Sequence, residues 1–140
     1  MSDAASPECP FCRIGSGTQH AHRVHETDEV IAFLDTNPAV EGHTLVAPKA
    51  HVRDIVTAEP TAATAVFEAL DVVADALGSV IEPEGFSVFH TSGPLVGRIE
   101  HAHVHLLPRS EDDDISLALR RTELDETAGV ALAERLREAV

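Results

Sequence analysis

The feature that most constrains this chain is a row of alternating histidines, His101-Ala-His103-Val-His105-Leu-Leu-Pro-Arg109. Successive side chains of a β-strand point to opposite faces, so a spacing of two places all three imidazoles on one face and the intervening apolar side chains on the other. Pro108 has no N–H to donate and is expected to end the strand pairing. The pattern predicts a strand that is anchored by its apolar face and carries reactive groups on the opposite face.

Three interpretations of the histidine row are open. The imidazoles can be solvent-exposed groups on an ordinary strand. They can form a metal clamp, because neutral imidazole is a common zinc ligand and two histidines at this spacing can aim at one ion. They can also support nucleophilic catalysis, in which one imidazole attacks phosphorus while its neighbours orient it and handle protons. The row alone does not decide among them.

The length and composition indicate one ordinary globular domain. A chain of 140 residues can bury its own core, and its hydrophobic fraction of 44% is normal for a globular protein. No uninterrupted apolar run approaches the length of a membrane span, so no membrane partner is expected. The segment from Met1 to Glu8 has neither a basic patch nor an apolar run, so no secretory signal is expected and the predicted location is cytoplasmic.

The charge balance is strongly acidic. Twenty-four acidic residues stand against ten basic ones, giving a formal net charge of -14, and Lys49 is the only lysine. A field of this sign repels polyanions, so nucleic acid is not an expected partner. Lysine depletion with an excess of acidic residues is typical of halophilic, archaeal proteins, because concentrated salt screens their self-repulsion.

The pair Cys9-Pro-Phe-Cys12 is the second chemical signal. A C-x-x-C motif fits half of a zinc site, a redox pair or two buried free thiols. The redox interpretation requires a preceding strand, and only eight residues precede the motif. Zinc is favoured because the chain is rich in histidine, which can supply the missing ligands.

Short strands alternate with turns through much of the chain. The apolar and β-branched segments Val30–Leu34, His43–Pro48 and Phe86–His90 are typical of strands, and Asp35–Pro38 is typical of an Asx turn. Together with the histidine row they predict an α+β domain with an antiparallel sheet of about five strands.

Two segments have helical periodicity. Between Glu59 and Ile81 an apolar stripe recurs at intervals of three and four residues: Ala62, Val66, Phe67, Leu70, Val73, Ala74 and Leu77. A second, C-terminal helix is expected over about 122–140, after a solvated acidic turn at 110–114. The long helix is expected to cover the sheet.

The histidine row, with Phe33–Pro38 and Gly42–His51 before it, resembles the histidine triad (HIT) family of nucleotide hydrolases and transferases. The resemblance runs from about Cys9 to Arg109. It implies a HIT-like fold, with a single domain over 1–140 whose core is 9–109 and whose five-stranded antiparallel sheet carries helices. It also implies a homodimer with a continuous sheet.

The resemblance also implies roles for individual residues. His103 would be the nucleophile toward the α-phosphorus of a nucleoside phosphoramidate, phosphosulfate or dinucleoside polyphosphate, and a purine nucleotide would be the small-molecule partner. His105 and His43 would be the supporting imidazoles, and Asp35 would hold the ribose hydroxyls. The apolar purine pocket would consist of Phe11, Ile14, Phe33 and Leu45.

A structural zinc ion, one per chain, is implied as well. In relatives that carry C-x-x-C, the corresponding ligands here would be Cys9, Cys12, His51 and His101. A closed Cys₂His₂ tetrahedron leaves no open position for water and is therefore structural.

One loop departs from the family pattern. The family has Asn-x-Gly and then Gly-Gln-Ser or Gly-Gln-Glu before the histidine row, whereas this chain has Thr91-Ser-Gly93 and Gly97-Arg98-Ile-Glu100 and is one residue short. Arg98 is expected to replace the missing amide as a charge-assisted donor to phosphate.

Three hypotheses follow. A histidine at position 105 favours a hydrolase over a transferase, and the altered loop favours the alternative of a nucleotide-binding regulatory module with weak turnover. A third hypothesis places a catalytic metal on His101, His103 and His105.

Overall fold

A five-stranded antiparallel sheet forms the centre of the computed structural model, which describes residues 6–56, 59–91 and 99–140. Its strands lie in the order β1-β2-β3-β5-β4, with every neighbouring pair antiparallel. They are β1 (Arg23–Glu26), β2 (Val30–Leu34), β3 (Thr44–Pro48), β4 (Gly85–Phe89) and β5 (Val104–Arg109). The predicted α+β fold with a five-stranded antiparallel sheet is confirmed.

Within the described residues, three helices accompany the sheet: α1 (Pro10–Ser16), α2 (Pro60–Ile81) and α3 (Glu126–Ala139). α2 lies against β2, β3 and β5 and covers one face of the sheet. α1 packs on β2, and its buried side chains join a second apolar cluster with Ile31, Phe33 and Leu45. In the described part of the chain, no helix combines the length and the apolar character needed to span a membrane.

The alternation in the histidine row divides its side chains between these two clusters. Ala102, Val104 and Leu106 are at most 2% exposed and belong to the core under α2. The rings of His101 and His103 contact Phe11 of α1, with centroid distances of 5.8 and 4.9 Å. The predicted separation of apolar and imidazole faces is therefore confirmed, although the paired strand begins only at Val104.

The expectation that Pro108 ends the strand pairing is wrong. β5 continues through Pro108, which pairs in register with Phe86 of β4. The pairing between β5 and β3 has already ended at Leu106, opposite Thr44. A proline is tolerated at position 108 because only one neighbouring strand remains there, so the missing N–H is not needed for a second one.

The predicted apolar stripe of α2 is confirmed at Val66, Leu70, Val73 and Leu77 but is wrong at Phe67. Phe67 is 55% exposed, whereas Ala69 is buried in the core. Val66, Leu70 and Val73 face the sheet, and a residue directly after Val66 is rotated by about 100° around the helix, onto the solvent side.

The C-terminal helix begins later than 122. Asp125 caps it by accepting a hydrogen bond from Ala128 N–H at 2.9 Å, so the helix starts at Glu126. No residue of α3 is buried, and Leu132 and Leu136 on its apolar stripe are 49% and 57% exposed.

The acidic turn at 110–114 is not uniformly solvated. The side chain of Asp113 is only 3% exposed, and both of its oxygens accept hydrogen bonds from the Arg109 guanidinium, at 2.5 and 3.2 Å. Backbone N–H groups of Ser110 and Ile115 also donate to it. Hydrogen bonding to Arg109 above all holds the pKa of Asp113 far below its usual value, so this turn is fixed to the end of β5.

Gly42, just before β3, has a backbone that only glycine adopts readily. Its φ is +90°, and a Cβ atom there would lie 2.5 Å from Ile81 Cδ1 and 3.0 Å from Pro108 Cγ. We expect Gly42→Ala to lower the free energy of unfolding by at least about 2 kcal/mol, because left-handed strain adds to overpacking. Chemical denaturation measures this change.

The matched control is Gly78→Ala. Gly78 lies within α2, where an added Cβ meets nothing within 4 Å. This substitution should raise the free energy of unfolding by up to about 1 kcal/mol, the helix-propensity difference. Equal effects of the two substitutions would contradict the packing assigned to Gly42.

Candidate functional site

A cavity of about 330 Å³ opens on the α1 side of the sheet, in front of the histidine row. Of the residues that the sequence assigned to a nucleotide site, it brings together Phe11, Ile14, Phe33, Asp35, Leu45, His103 and His105. The other residues that line it are Pro10, Gln19, His20, Ala21, Leu34, Thr36 and Ile99. Arg98 lies outside the described residues.

The His103 ring has a defined tautomer. Its Nδ1 lies 2.7 Å from the carbonyl oxygen of His101. A carbonyl only accepts, so Nδ1 carries the proton and donates it. The neutral ring therefore keeps its lone pair on Nε2, the atom that a nucleophilic imidazole uses.

A chain of hydrogen bonds fixes the tautomers of two further imidazoles, those of His43 and His105. The backbone N–H of Ala39 donates to His43 Nδ1 at 3.0 Å, so the proton of neutral His43 is on Nε2. His43 Nε2–H donates to His105 Nδ1 at 2.9 Å. The proton of His105 is consequently on its own Nε2, where it is available to a bound group.

Burial keeps these rings neutral. Desolvation is the largest influence on all three, and it lowers the pKa of His43 and His103 and brings that of His105 to about 4. The Asp35 carboxylate acts in the opposite direction but is outweighed. Phe89 stacks on His105 with a centroid distance of 4.4 Å and an interplanar angle of 10°.

Asp35 lies at the end of β2, where its chain turns back toward His43. Its Oδ1 accepts a hydrogen bond from Asn37 N–H at 2.9 Å, which is the Asx turn that the sequence predicted. Its Oδ2 lies 3.5 Å from His43 Nε2. The carboxylate lines the cavity, where it can accept hydrogen bonds from hydroxyl groups.

Next to the cavity lies a cluster of potential metal ligands. One ligand atom from each of Cys9, Cys12, His51 and His101 falls within 4.8 Å of the others. His101 Nδ1 is 3.3 and 3.5 Å from the two sulfur atoms, and His51 Nδ1 is 3.3 Å from Cys12 Sγ. Sulfur and nitrogen ligands of tetrahedral zinc lie about 3.6 Å apart, so the donor set and its spacing fit such an ion.

The surroundings of His101 favour ligation through Nδ1. This histidine is 1% exposed, and its Nε2–H donates to the carbonyl oxygen of Pro48 at 2.7 Å. A carbonyl bound to one ring nitrogen directs the lone pair of the other toward a metal. Cys9 is held in place as the N-cap of α1, where its sulfur accepts from Cys12 N–H.

The structure does not gather His101, His103 and His105 around one point. Both ring nitrogens of His101 are engaged elsewhere, with the cysteine sulfurs and with Pro48. His103 Nδ1–H is bound to a carbonyl. The hypothesis that these three rings together bind a catalytic metal is therefore wrong.

Sequence reasoning missed His90, which follows β4. Its Nδ1 donates to the carbonyl oxygen of His103 at 3.0 Å, and its Nε2 lies 3.2 Å from Asp54 Oδ1. It also missed Gln19 and His20 at the cavity wall. No local pattern distinguishes these residues from ordinary loop residues, because the contacts join segments distant in sequence.

Comparisons with known proteins agree with this geometry. The HIT domain family model matches residues 16–112. The "Protein hit" of Bacillus subtilis is 33% identical over 119 residues, which cover 84% of this chain and 82% of that protein. The adenylylsulfatase HINT3 of Arabidopsis thaliana is 30% identical over 126 residues, 88% of this chain and 64% of the relative.

Solved structures agree over nearly the whole chain. SMU.412c of Streptococcus mutans has a TM-score of 0.90 at 34% identity and covers 97% of this chain and 87% of its own. A zinc-bound histidine triad family protein of Mycobacterium smegmatis has a TM-score of 0.71 at 29% identity, and the match covers 95% of this chain and 98% of that one. The chain therefore belongs to the HIT family of nucleotide-binding hydrolases and transferases.

Proposed function

We propose that this protein hydrolyses nucleoside phosphoramidates or dinucleoside polyphosphates at the α-phosphorus, through a covalent intermediate on His103. The observation that carries the proposal is the hydrogen bond from His103 Nδ1–H to the His101 carbonyl oxygen, which leaves the Nε2 lone pair free beside the cavity. The relative named an adenylylsulfatase supports a nucleotide as the substrate.

In the first step, the Nε2 lone pair of His103 forms a bond to the α-phosphorus. The bond from phosphorus to the leaving group breaks, and its electron pair departs with the leaving group, which takes a proton from water. The new positive charge on the imidazole is stabilised by the Nδ1–H bond to His101. One difficult displacement is thereby divided into two easier ones.

In the second step, water attacks the same phosphorus and loses a proton to solvent. The bond between phosphorus and nitrogen breaks, its electron pair returns to His103 Nε2, and the mononucleotide is released. His105 Nε2–H donates to a phosphoryl oxygen in both steps, because the relay from Ala39 through His43 keeps the proton on that atom.

The phosphate charge has to be stabilised in a protein with a net charge of -14. Lys49, the only lysine, is paired with Glu26 at 2.6 Å and lines a different cavity. We assign the role to His105 and to Arg98, whose guanidinium suits phosphate oxygens.

The cavity wall suits a purine nucleoside. Phe11, Ile14, Phe33 and Leu45 supply an apolar surface for the base, and Phe11 and Phe33 meet edge to face at a centroid distance of 5.3 Å. Asp35 would accept hydrogen bonds from the ribose hydroxyls.

The cluster of Cys9, Cys12, His51 and His101 would hold one structural zinc ion per chain. It joins α1, the segment after β3 and the histidine row, which are distant in sequence. When bound, zinc supplies folding energy without an open coordination position. His103 is not one of these ligands and stays free to react.

The alternative is a nucleotide-binding regulatory module with weak turnover. The altered loop from Thr91 to Arg98 favours it, because the amides that hold phosphate in the family are replaced. A cytoplasmic location, a homodimer and adaptation to high salt stay predictions. The exposed Phe86, Val88 and Phe89 on edge strand β4 support a homodimer.

We expect His103→Ala to lower the release of AMP from an adenosine phosphoramidate by at least about 10³-fold, because the nucleophile is lost. AMP binding should change by less than about threefold, since the apolar wall and Asp35 remain. Chromatography of released AMP and titration calorimetry measure the two effects in high salt.

The control is His25→Ala, on edge strand β1 and outside the residues that line the cavity. It should keep wild-type turnover. Quenched-flow capture of nucleotidyl-histidine on the wild type adds a direct readout. Wild-type protein that binds AMP but forms no adduct would favour the regulatory module, and a fully active His103→Ala variant would remove the nucleophile.

Replacing Cys9 and Cys12 with serine should remove zinc and lower the Tm by more than about 10 °C, corresponding to roughly 3 kcal/mol. Metal analysis by mass spectrometry should find one zinc per wild-type chain and none in the double variant. The wild type treated with a strong chelator should match the variant. Equal Tm values with and without the thiols would refute a zinc contribution to folding.

The burial of His105 makes stability depend on pH. Its pKa is about 4 in the folded chain and 6.5 when unfolded, so the unfolded state binds more protons between these values. Stability is therefore complete above pH 6.5 and falls by at most about 3 kcal/mol as the pH drops toward 4.

An NMR titration of the His105 ring should find its midpoint near pH 4. Denaturation curves between pH 7 and pH 4 should be less steeply pH-dependent for His105→Gln, which cannot titrate there. A midpoint near 6.5 would contradict the assigned environment.

A further inference from the structure

The backbone of His103 lies where the sheet no longer holds it. β5 begins at Val104 and β4 ends at Phe89, so the segment from His101 to His103 precedes the paired strand. Strand pairing therefore does not fix the backbone of His103, the residue to which we assign the role of nucleophile. Other contacts must hold its backbone.

His90 supplies one of these contacts. Its Nδ1–H donates to the carbonyl oxygen of His103 at 3.0 Å, directly past the last register pair of β4 and β5, Phe89 with His105. The carbonyl oxygen of His101, two residues before His103, accepts from the His103 ring. The carbonyls of His101 and His103 are thus both bound by imidazole N–H groups.

The His90 ring is itself held from the opposite side. Its Nε2 accepts from the backbone N–H of Ile55 at 3.3 Å and lies 3.2 Å from Asp54 Oδ1. An acceptor role for Nε2 keeps the proton of neutral His90 on Nδ1, as the bond to His103 requires. The His90 side chain is 11% exposed, so the ring has little room to rotate.

The segment that holds His90 is also attached to the histidine row. Val52 accepts a hydrogen bond from the backbone N–H of Ala102 at 2.6 Å, and His51 belongs to the cysteine and histidine cluster with His101. His90 therefore connects the end of β4 with a segment that is anchored on the other side of the same histidine row.

We propose that His90, held by the backbone N–H of Ile55, is a positioning residue that fixes the backbone, and with it the attack geometry, of His103. This inference rests on the proposed nucleophilic role of His103. Attack on phosphorus requires reacting atoms in near-contact, and a displacement of about 1 Å can cost about 10²-fold in rate. His90 is not one of the described residues that line the cavity, so in this assignment it acts through His103 and not on the substrate.

The test compares His90→Ala with His90→Asn. The asparagine amide can place an N–H near the position of Nδ1, whereas alanine cannot donate. We expect His90→Ala to lower kcat by about 30-fold to 100-fold with KM within about threefold. His90→Asn should recover most of the lost kcat. His25→Ala, on β1, serves as the control and should match the wild type.

A second readout does not require turnover. The ¹³C shift of the His103 carbonyl and the ¹⁵N shifts of its ring report the backbone hydrogen bond and the tautomer. We expect His90→Ala to move the carbonyl shift and His90→Asn to restore it. These shifts also separate the positioning contact of His90 from the proposed hydrolase function. If the wild type is inactive but the variants show the expected shift changes, the hydrolase function is refuted and the positioning contact is supported.

Three outcomes would overturn the positioning role. The first is a wild-type kcat in His90→Ala. The second is a carbonyl shift that does not change in that variant. The third is an equal kcat for His90→Asn and His90→Ala when both variants are folded to the same extent. The N–H donor at this position would then not matter for the rate.

Discussion

The hydrogen bond from His103 Nδ1–H to the carbonyl oxygen of His101 is the interaction on which the site depends. It sets the tautomer of His103 and so the position of its free lone pair. It also ties that ring to His101, whose own side chain faces the cysteine sulfurs and donates to Pro48. One residue thus serves the candidate metal cluster with its ring and the candidate nucleophile with its backbone, which couples folding to chemistry.

Alternation along the row allows this arrangement to be built into a core. Ala102, Val104 and Leu106 bury against α2, and they hold the backbone while the imidazoles face α1. The low dielectric on that side depresses the pKa values of the rings, so neutral imidazoles persist although the whole chain is strongly acidic. Packing therefore supplies both the geometry and the protonation state that nucleophilic catalysis requires.

Much of the site was accessible from the sequence. A spacing of two in a strand places His101, His103 and His105 on one face whatever the rest of the fold is, and C-x-x-C places two thiols within reach of one ion. The long helix after Glu59 was accessible too, because its apolar side chains recur at helical spacing over many residues. The errors occurred where a local pattern is compatible with two structures. Phe67 lies next to the apolar stripe and can face either the core or solvent. Pro108 can either end a strand or continue it, depending on which neighbouring strand is still paired there.

The sequence by itself determined which side chains alternate and which donor types are available, because strand and helix periods are properties of the local backbone. Only the tertiary structure decided which ring nitrogen carries each proton. That choice depends on contacts between segments distant in the sequence: His43 sets the proton of His105, and the His103 carbonyl with the Ile55 N–H sets that of His90. A hydrogen bond between distant segments leaves no periodic trace in the sequence, since it exists only after the chain has folded.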